Sequence, residues 1–162
     1  MKFCLDSTII KPENDIETKY AIILLHGYGG DGEDISMLAL NWKRYMPNTV
    51  FICPNGHEPC AINPTGYQWF DLTKEDSEYI LDQSIKAENV LKKFISEVKK
   101  EFKLFNNQIC LLGFSQGCMM SLNIGLTTEE KFSCIVGFSG KIINQKDLKN
   151  RIKNNTETLL IH

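Results

Sequence analysis

The chain has 162 residues, of which 43% are hydrophobic and 23% charged, as expected of one globular domain, 1–162, with a substantial core. Its net charge of −2 provides no positive field for phosphate backbones, so nucleic acid is not expected as a partner. An acid, Asp6, interrupts the N-terminus before a secretory signal can develop, and no apolar run approaches the roughly 18 residues that span a bilayer, so we expect a cytoplasmic protein without a transmembrane segment.

Six cysteines are present, but their spacing includes neither C-x-x-C pairs nor a zinc-ligand pattern. Three of them, Cys53, Cys110 and Cys134, lie inside apolar runs that are typical of buried strands. We therefore expect free cysteines in a reducing compartment and no metal site.

The first half of the chain alternates between predicted strands and helices. Residues 3–10 indicate a short edge strand, and the continuous apolar run 20–25 is typical of a strand covered on both faces. A glycine-rich loop, 27–32, leads into a helix over 35–45, where apolar residues recur at helical spacing. A second apolar strand is predicted at 49–53.

The second half begins with a long loop, 54–76, of the length that is often functional. A long amphipathic helix over 77–102 follows, with an apolar stripe formed by Leu81, Ile85, Leu91, Ile95, Val98 and Phe102. Then come a strand at 108–112, a helix to about 126, a strand at 134–138, a short polar helix near 145–153 and an apolar run at 158–161. This alternation predicts an α/β fold with a mostly parallel sheet and helices on both faces.

The strongest functional motif is Gly-Phe-Ser-Gln-Gly at 113–117. It directly follows a predicted strand and precedes a helix, which is the pattern of a nucleophile elbow. Gly113 and Gly117 allow a turn so sharp that side chains at both positions would collide. Ser115 is then held at the helix N-terminus, where it is the candidate catalytic nucleophile.

The glycine-rich loop at 27–32 has two interpretations. Its spacing fits G-x-G-x-x-G, which would indicate a dinucleotide-binding oxidoreductase, but that motif requires an acid near the end of the second strand and 52–55 contain none. Alternatively, the loop provides one backbone N–H of an oxyanion hole. The donors are then the amides of Tyr28 and Gln116, each lowering the barrier by about 3 kcal/mol, with His26 and Gly27 supporting the loop.

Together these motifs make the chain similar to the phospholipase/carboxylesterase family, which includes the acyl-protein thioesterases. The matching segments are LLHGYGG (24–30), Pro54, WFD (69–71), GFSQG (113–117) and FSG (138–140). The resemblance implies an α/β-hydrolase fold that cleaves small-molecule or acylated-protein esters or thioesters without a cofactor. It also implies that Trp69, Phe70 and Asp71 lie near the acyl pocket, although an aromatic cluster in a loop could equally be a packing anchor.

A serine nucleophile needs a histidine base and an orienting carboxylate, in the order Ser, Asp or Glu, His. His26 and His57 precede Ser115, while Ser115, Asp147 and His162 satisfy the order formally. Strand counting disfavours that triad, because His162 ends the strand that the acid should follow. We therefore expect a chain that lacks the last strand and helix of the fold together with the catalytic acid and base, and is weak or inactive unless a C-terminal fragment complements it. The alternative is a non-catalytic acyl-binding or interaction remnant.

Overall fold

The computed structural model describes residues 2–13 and 16–162. These residues form eight strands and four α-helices: β1 (Ser7–Ile10), β2 (Tyr20–Leu25), α1 (Gly32–Trp42), β3 (Thr49–Pro54), β4 (Glu58–Pro59), β5 (Tyr67–Gln68), α2 (Ser77–Phe102), β6 (Ile109–Phe114), α3 (Gln116–Thr127), β7 (Cys134–Phe138), α4 (Gln145–Arg151) and β8 (Thr158–Ile161). No helix among them is both long and apolar enough to cross a membrane.

Six strands form one sheet in the order β1-β3-β2-β6-β7-β8. Strand β1 is antiparallel to β3, and the remaining pairs are parallel, which confirms the predicted mostly parallel sheet. The edge strand is shorter than the predicted 3–10. Leu25 pairs with Gly113, and Phe138 pairs with both Phe114 and Ile161. The segments that follow β2, β6 and β7 therefore lie at one end of the sheet, together with His162 after β8. Ligand sites of open α/β sheets form at this end.

Helices α2 and α3 cover one face of the sheet, where alternate strand residues such as Ile23, Ile109 and Leu111 enter the larger core cluster. Helix α1 covers the other face, against Leu24 and Leu112. The N-termini of α1 and α2 each have an aspartate cap. Asp31 accepts a hydrogen bond from Asp34 N at the start of α1, and Asp76 accepts one from Tyr79 N at the start of α2.

Strand β8 forms an exposed edge of the sheet. Its outer side has no partner strand within residues 2–13 and 16–162, and Leu159, Leu160 and Ile161 are 56%, 59% and 45% exposed. Apolar side chains on both faces of an unpaired edge are unusual, because such edges attract other strands.

Helix α2 has the predicted bounds, but its buried stripe differs from the predicted one. Ile85 is 42% exposed, whereas Glu88 is only 3% exposed. The Glu88 carboxylate accepts from Arg151 Nη1 at 3.1 and 3.0 Å and from Asn123 Nδ2 at 2.6 Å, and it also pairs with Lys92. Arg151 in turn donates to Asp147 at 2.8 Å, so a buried polar network joins α2, α3 and α4.

Substitution Glu88→Ala should lower the free energy of unfolding by roughly 2–4 kcal/mol, since it leaves Arg151 and Asn123 without their shared acceptor. Glu101→Ala is the matched control, because Glu101 is an exposed acid on the same helix and its loss should cost within about 0.5 kcal/mol. Urea unfolding of both variants measures the difference. Equal losses would show that the network contributes nothing to stability.

Candidate active site

Ser115 adopts a strained backbone conformation between β6 and α3. Its φ is 51° and its ψ is −113°, a region that costs a non-glycine residue about 1–3 kcal/mol. The turn is held on both sides, because Ser115 N donates to Phe138 O at 2.8 Å and Met119 N donates to Ser115 O at 3.2 Å. The serine is half-buried and stands at the positive end of α3.

The two elbow glycines are required by backbone contacts. A Cβ on Gly113 would lie 2.2 Å from the carbonyl atoms of Gly117, and a Cβ on Gly117 would lie 2.0 Å from Leu25 O. No side chain fits at either position, so the sequence Gly-x-Ser-x-Gly follows from the packing of β2, β6 and α3.

The backbone amides of Tyr28 and Gln116 are both unused. Within the described part of the chain, neither N–H donates to a protein acceptor. The loop that carries Tyr28 is hydrogen-bonded to Tyr67 on β5, since Gly29 N donates to Tyr67 O at 2.9 Å and Tyr67 N donates to Gly30 O at 2.8 Å. The β4–β5 hairpin, which lies in the predicted long loop 54–76, therefore supports the predicted oxyanion loop.

His26 fixes the base of the same loop and is 2% exposed. Its Nε2 accepts from Gly56 N at 2.8 Å, and its Nδ1 lies 2.7 Å from Gly27 O. Since Nε2 accepts, the proton must be on Nδ1, which donates to Gly27. Burial lowers the pKa of His26, although the hydrogen bond to Gly27 opposes the shift. Both ring nitrogens are therefore engaged in a neutral, structural histidine.

Trp69 and Phe70 lie in the core rather than at a surface, with exposures of 0% and 1%. Trp69 Nε1 donates to His26 O at 2.9 Å. The Gln116 side chain bridges the segment, accepting from Trp69 N at 2.9 Å and donating to Phe70 O at 2.6 Å. These contacts match the packing-anchor interpretation of the aromatic cluster.

Asp71 follows this segment and accepts hydrogen bonds from Thr73 and Tyr79. The bonds from Thr73, more than the one from Tyr79, lower the pKa of the Asp71 carboxyl. Asp71 therefore serves the local turn before α2.

Two clefts lie on opposite faces of the sheet. One, of about 580 Å³, lies on the α1 face, and its lining includes Phe114 of the elbow together with Ser139, Tyr28, Ile35, Leu38 and Trp42. The other, of about 500 Å³, lies on the α2–α3 face and is lined mainly by Leu72, Ile80, Met119 and Ile143, with Lys74 and Lys141 among its polar residues. The first cleft includes Tyr28, a predicted oxyanion donor. The apolar residues of the second cleft were not predicted as site residues, although Leu72 directly follows the predicted pocket residues 69–71.

Within residues 2–13 and 16–162, neither remaining member of the formal triad is hydrogen-bonded to Ser115. Asp147 is held by Arg151 on α4. His162 follows β8, and the register places β7 between that strand and β6, which leads to Ser115. His57 Nε2 lies 3.4 Å from Glu58 Oε1.

The N-terminus of α1 is poorly suited to a pyrophosphate. Asp31 caps it, Glu33 and Asp34 lie in its first turn, and Gly32 N already donates to Asn55 Oδ1 at 2.8 Å. These carboxylates repel an anion at the place where dinucleotide-binding folds receive one. The geometry thus disfavours the dinucleotide alternative. Among the described residues, no group of three or more potential ligand side chains could hold a metal ion.

The pH dependence of stability should reveal the buried His26. Its pKa lies below the ordinary 6.5 in the folded chain, so below about pH 6.5 the unfolded chain binds a proton that the folded chain excludes. The contribution of neutral His26 to the free energy of unfolding is fully present above that pH. It decreases on acidification, by up to about 1.4 kcal/mol per pH unit. Urea unfolding from pH 8 to 5 should show this slope reduced in His26→Gln relative to the wild-type chain. Equal slopes in wild type and His26→Gln would contradict the assignment.

A family model described as phospholipase/carboxylesterase matches residues 6–162. Acyl-protein thioesterase 1 of Schizosaccharomyces pombe is 30% identical over 145 residues, which are 84% of this chain and 61% of that protein. Acyl-protein thioesterase 1 of Emericella nidulans is 31% identical over 147 residues, 83% of this chain and 62% of that protein. The chain thus spans about three-fifths of the length of these curated relatives.

Two solved structures have the same fold as this chain. Esterase PE8 superposes with a TM-score of 0.92 at 35% identity, covering 98% of this chain and 74% of that one. Acyl-protein thioesterase 2 of Zea mays shares the fold with a TM-score of 0.65 at 22% identity, over 97% of this chain and 75% of that one. With a matching family model across nearly its whole length, the chain belongs to the phospholipase/carboxylesterase family.

Proposed function

We propose that this chain carries the nucleophile and the oxyanion hole of a serine hydrolase that cleaves carboxylic esters or thioesters. The observation that carries the proposal is the strained turn at Ser115, together with the amides of Tyr28 and Gln116, which donate to no protein acceptor among the described residues. Relatives named esterase and acyl-protein thioesterase support a small-molecule or acylated-protein substrate.

In the proposed reaction, Ser115 Oγ attacks the substrate carbonyl carbon while its proton passes to a base. The carbonyl oxygen becomes an oxyanion, which accepts hydrogen bonds from Tyr28 N and Gln116 N. Collapse of this intermediate expels the alcohol or thiol, protonated by the same base, and leaves an acyl-serine. Water then attacks the acyl group in the same way and frees Ser115.

The base and its orienting acid are proposed to come from a segment other than residues 2–13 and 16–162, such as a complementing C-terminal fragment. Three observations support this proposal: His26 has both ring nitrogens engaged, Asp147 is paired with Arg151, and no hydrogen bond joins His162 to Ser115 among the described residues. The open β8 edge and the cleft on the α1 face provide surfaces for such a segment. By itself, the chain is proposed to hydrolyse esters weakly or not at all.

The acyl chain is proposed to occupy the cleft on the α2–α3 face. Met119 lies one helical turn beyond Ser115 on α3. Together with Leu72, Ile80 and Ile143 it forms the apolar part of a lining that also includes Lys74, Glu75, Ser77 and Lys141. Leu72 and Ile143 contribute from the two loops that follow β5 and β7. Such a lining holds an aliphatic chain while the thioester or ester carbonyl stays at the elbow.

Added imidazole tests the missing base. If the chain lacks its own base, imidazole should accelerate labelling of Ser115 by a fluorophosphonate by about ten-fold or more, since general bases contribute roughly 10²–10⁴-fold when positioned and less when diffusible. Intact mass and peptide mapping would locate the label. Ser115→Ala is the control and should abolish labelling with and without imidazole.

Rapid stoichiometric labelling without imidazole would contradict the proposal of a missing base. Labelling that survives Ser115→Ala would contradict the proposed nucleophile. If acyl chains bind but Ser115 stays unlabelled even with imidazole, the chain is a non-catalytic acyl-binding remnant instead.

A substitution in the cleft tests the acyl site. Ile143→Trp should slow labelling by a long-chain alkyl fluorophosphonate by about ten-fold relative to a methyl analogue, because the indole fills space that the chain needs. Ile142→Trp is the matched control, since Ile142 is 45% exposed and does not line the cleft. Equal long-chain to short-chain rate ratios in both variants would place the acyl chain elsewhere.

A further inference from the structure

We propose that Cys110 and Cys134 form a dithiol modification site, which a small-molecule disulfide oxidises to an intramolecular disulfide. The site is independent of the proposed hydrolase function, because the two cysteines lie near the beginning of β6 and β7, at the end of the sheet opposite Ser115.

The two cysteines are direct neighbours across the sheet. Strands β6 and β7 are parallel, and Cys110 is the register partner of Cys134. Adjacent strands lie about 4.8 Å apart, which is inside the roughly 4.4–6.8 Å between Cα atoms that a disulfide spans. Register partners also point to the same face, so the two cysteine side chains are neighbours on that face.

The pair is accessible because its face of the sheet is only partly covered. Cys110 and Cys134 lie two residues before Leu112 and Val136 and therefore on the same face as these residues, the α1 side of the sheet. Helix α1 packs mainly over β1, β2 and β3. Both thiols are accordingly half-buried, whereas Cys53, Cys60 and Cys118 are buried.

The two thiols differ in acidity, which sets the order of reaction. The neighbouring Cys110 thiol, and to a smaller extent Ser133, lower the pKa of Cys134 to about 7 against the opposing effects of burial and Glu157. The interaction with Cys134, together with burial, raises the pKa of Cys110. Cys134 is therefore the attacking thiolate and Cys110 the resolving thiol.

The reaction balances with one disulfide molecule, RSSR, as the oxidant. The Cys134 thiolate attacks one sulfur of RSSR, forming a mixed disulfide and releasing RS⁻, which takes up a proton. Cys110 then loses its proton and attacks Cys134 Sγ, forming the Cys110–Cys134 bond and releasing the second RS⁻. The two protein thiols lose two electrons, and RSSR becomes two molecules of RSH.

Incubation with oxidised glutathione, followed by alkylation and peptide mapping, tests the site. The expected product in wild type is a Cys110–Cys134 cross-linked peptide with the other four cysteines alkylated. In Cys110→Ser, a glutathione adduct should remain on Cys134, since nothing resolves it. In Cys134→Ser, cross-linking should disappear and Cys110 should stay reduced. Circular dichroism of both variants confirms that they remain folded.

The rate of alkylation provides a second measurement, which does not depend on the variants. Cys4 is exposed, but burial and Glu97 raise its pKa, so it serves as the internal reference. At pH 7, Cys134 should react about five-fold faster with iodoacetamide than Cys4, because its larger thiolate fraction outweighs the lower nucleophilicity of a more acidic thiol.

Either of two results would overturn the proposal. One is a folded wild-type chain in which oxidised glutathione leaves Cys110 and Cys134 both reduced. The other is stable glutathione adducts on Cys134 in wild type, with no cross-link to Cys110, because a neighbouring resolving thiol would remove them.

Discussion

The close approach of three backbone segments at Gly113 and Gly117 is the constraint on which the site depends. Gly117 lies so near Leu25 that any side chain would overlap a carbonyl oxygen, and Gly113 meets Gly117 in the same way. This packing brings β2, β6 and α3 together and forces Ser115 into its positive-φ conformation. The serine, the helix N-terminus and the loop after β2 are therefore positioned by one steric condition.

Gln116 extends this constraint outward. Its amide N–H is free beside Ser115, while both ends of its buried side chain bind the backbone of Trp69 and Phe70. Trp69 in turn binds the carbonyl of His26, and His26 binds the turn at Gly56. The proposed oxyanion loop is thus held by a continuous set of hydrogen bonds that begins at the residue next to the nucleophile.

The sequence predicted those parts of the molecule that depend on local pattern. Continuous apolar runs located the parallel strands, and amphipathic spacing located the 77–102 helix at its observed bounds. The burial of Glu88 could not be predicted, because its partners Asn123 and Arg151 lie 35 and 63 residues further along the chain. The two-residue strands β4 and β5 are too short to show a period. Nor does any local pattern show that residues 69 and 70 are core while residue 72 lines a cleft.

Within the part of the chain that the structure describes, the outer side of β8 has no partner strand, which affects how these residues behave in solution. Unpaired backbone groups and the exposed side chains of Leu159, Leu160 and Ile161 can be satisfied by the same edge of a second copy. The rate at which two copies pair rises with the square of the chain concentration, whereas the rate at which a tethered segment docks does not depend on that concentration. Dilution therefore favours the monomer over edge-to-edge pairing of two copies.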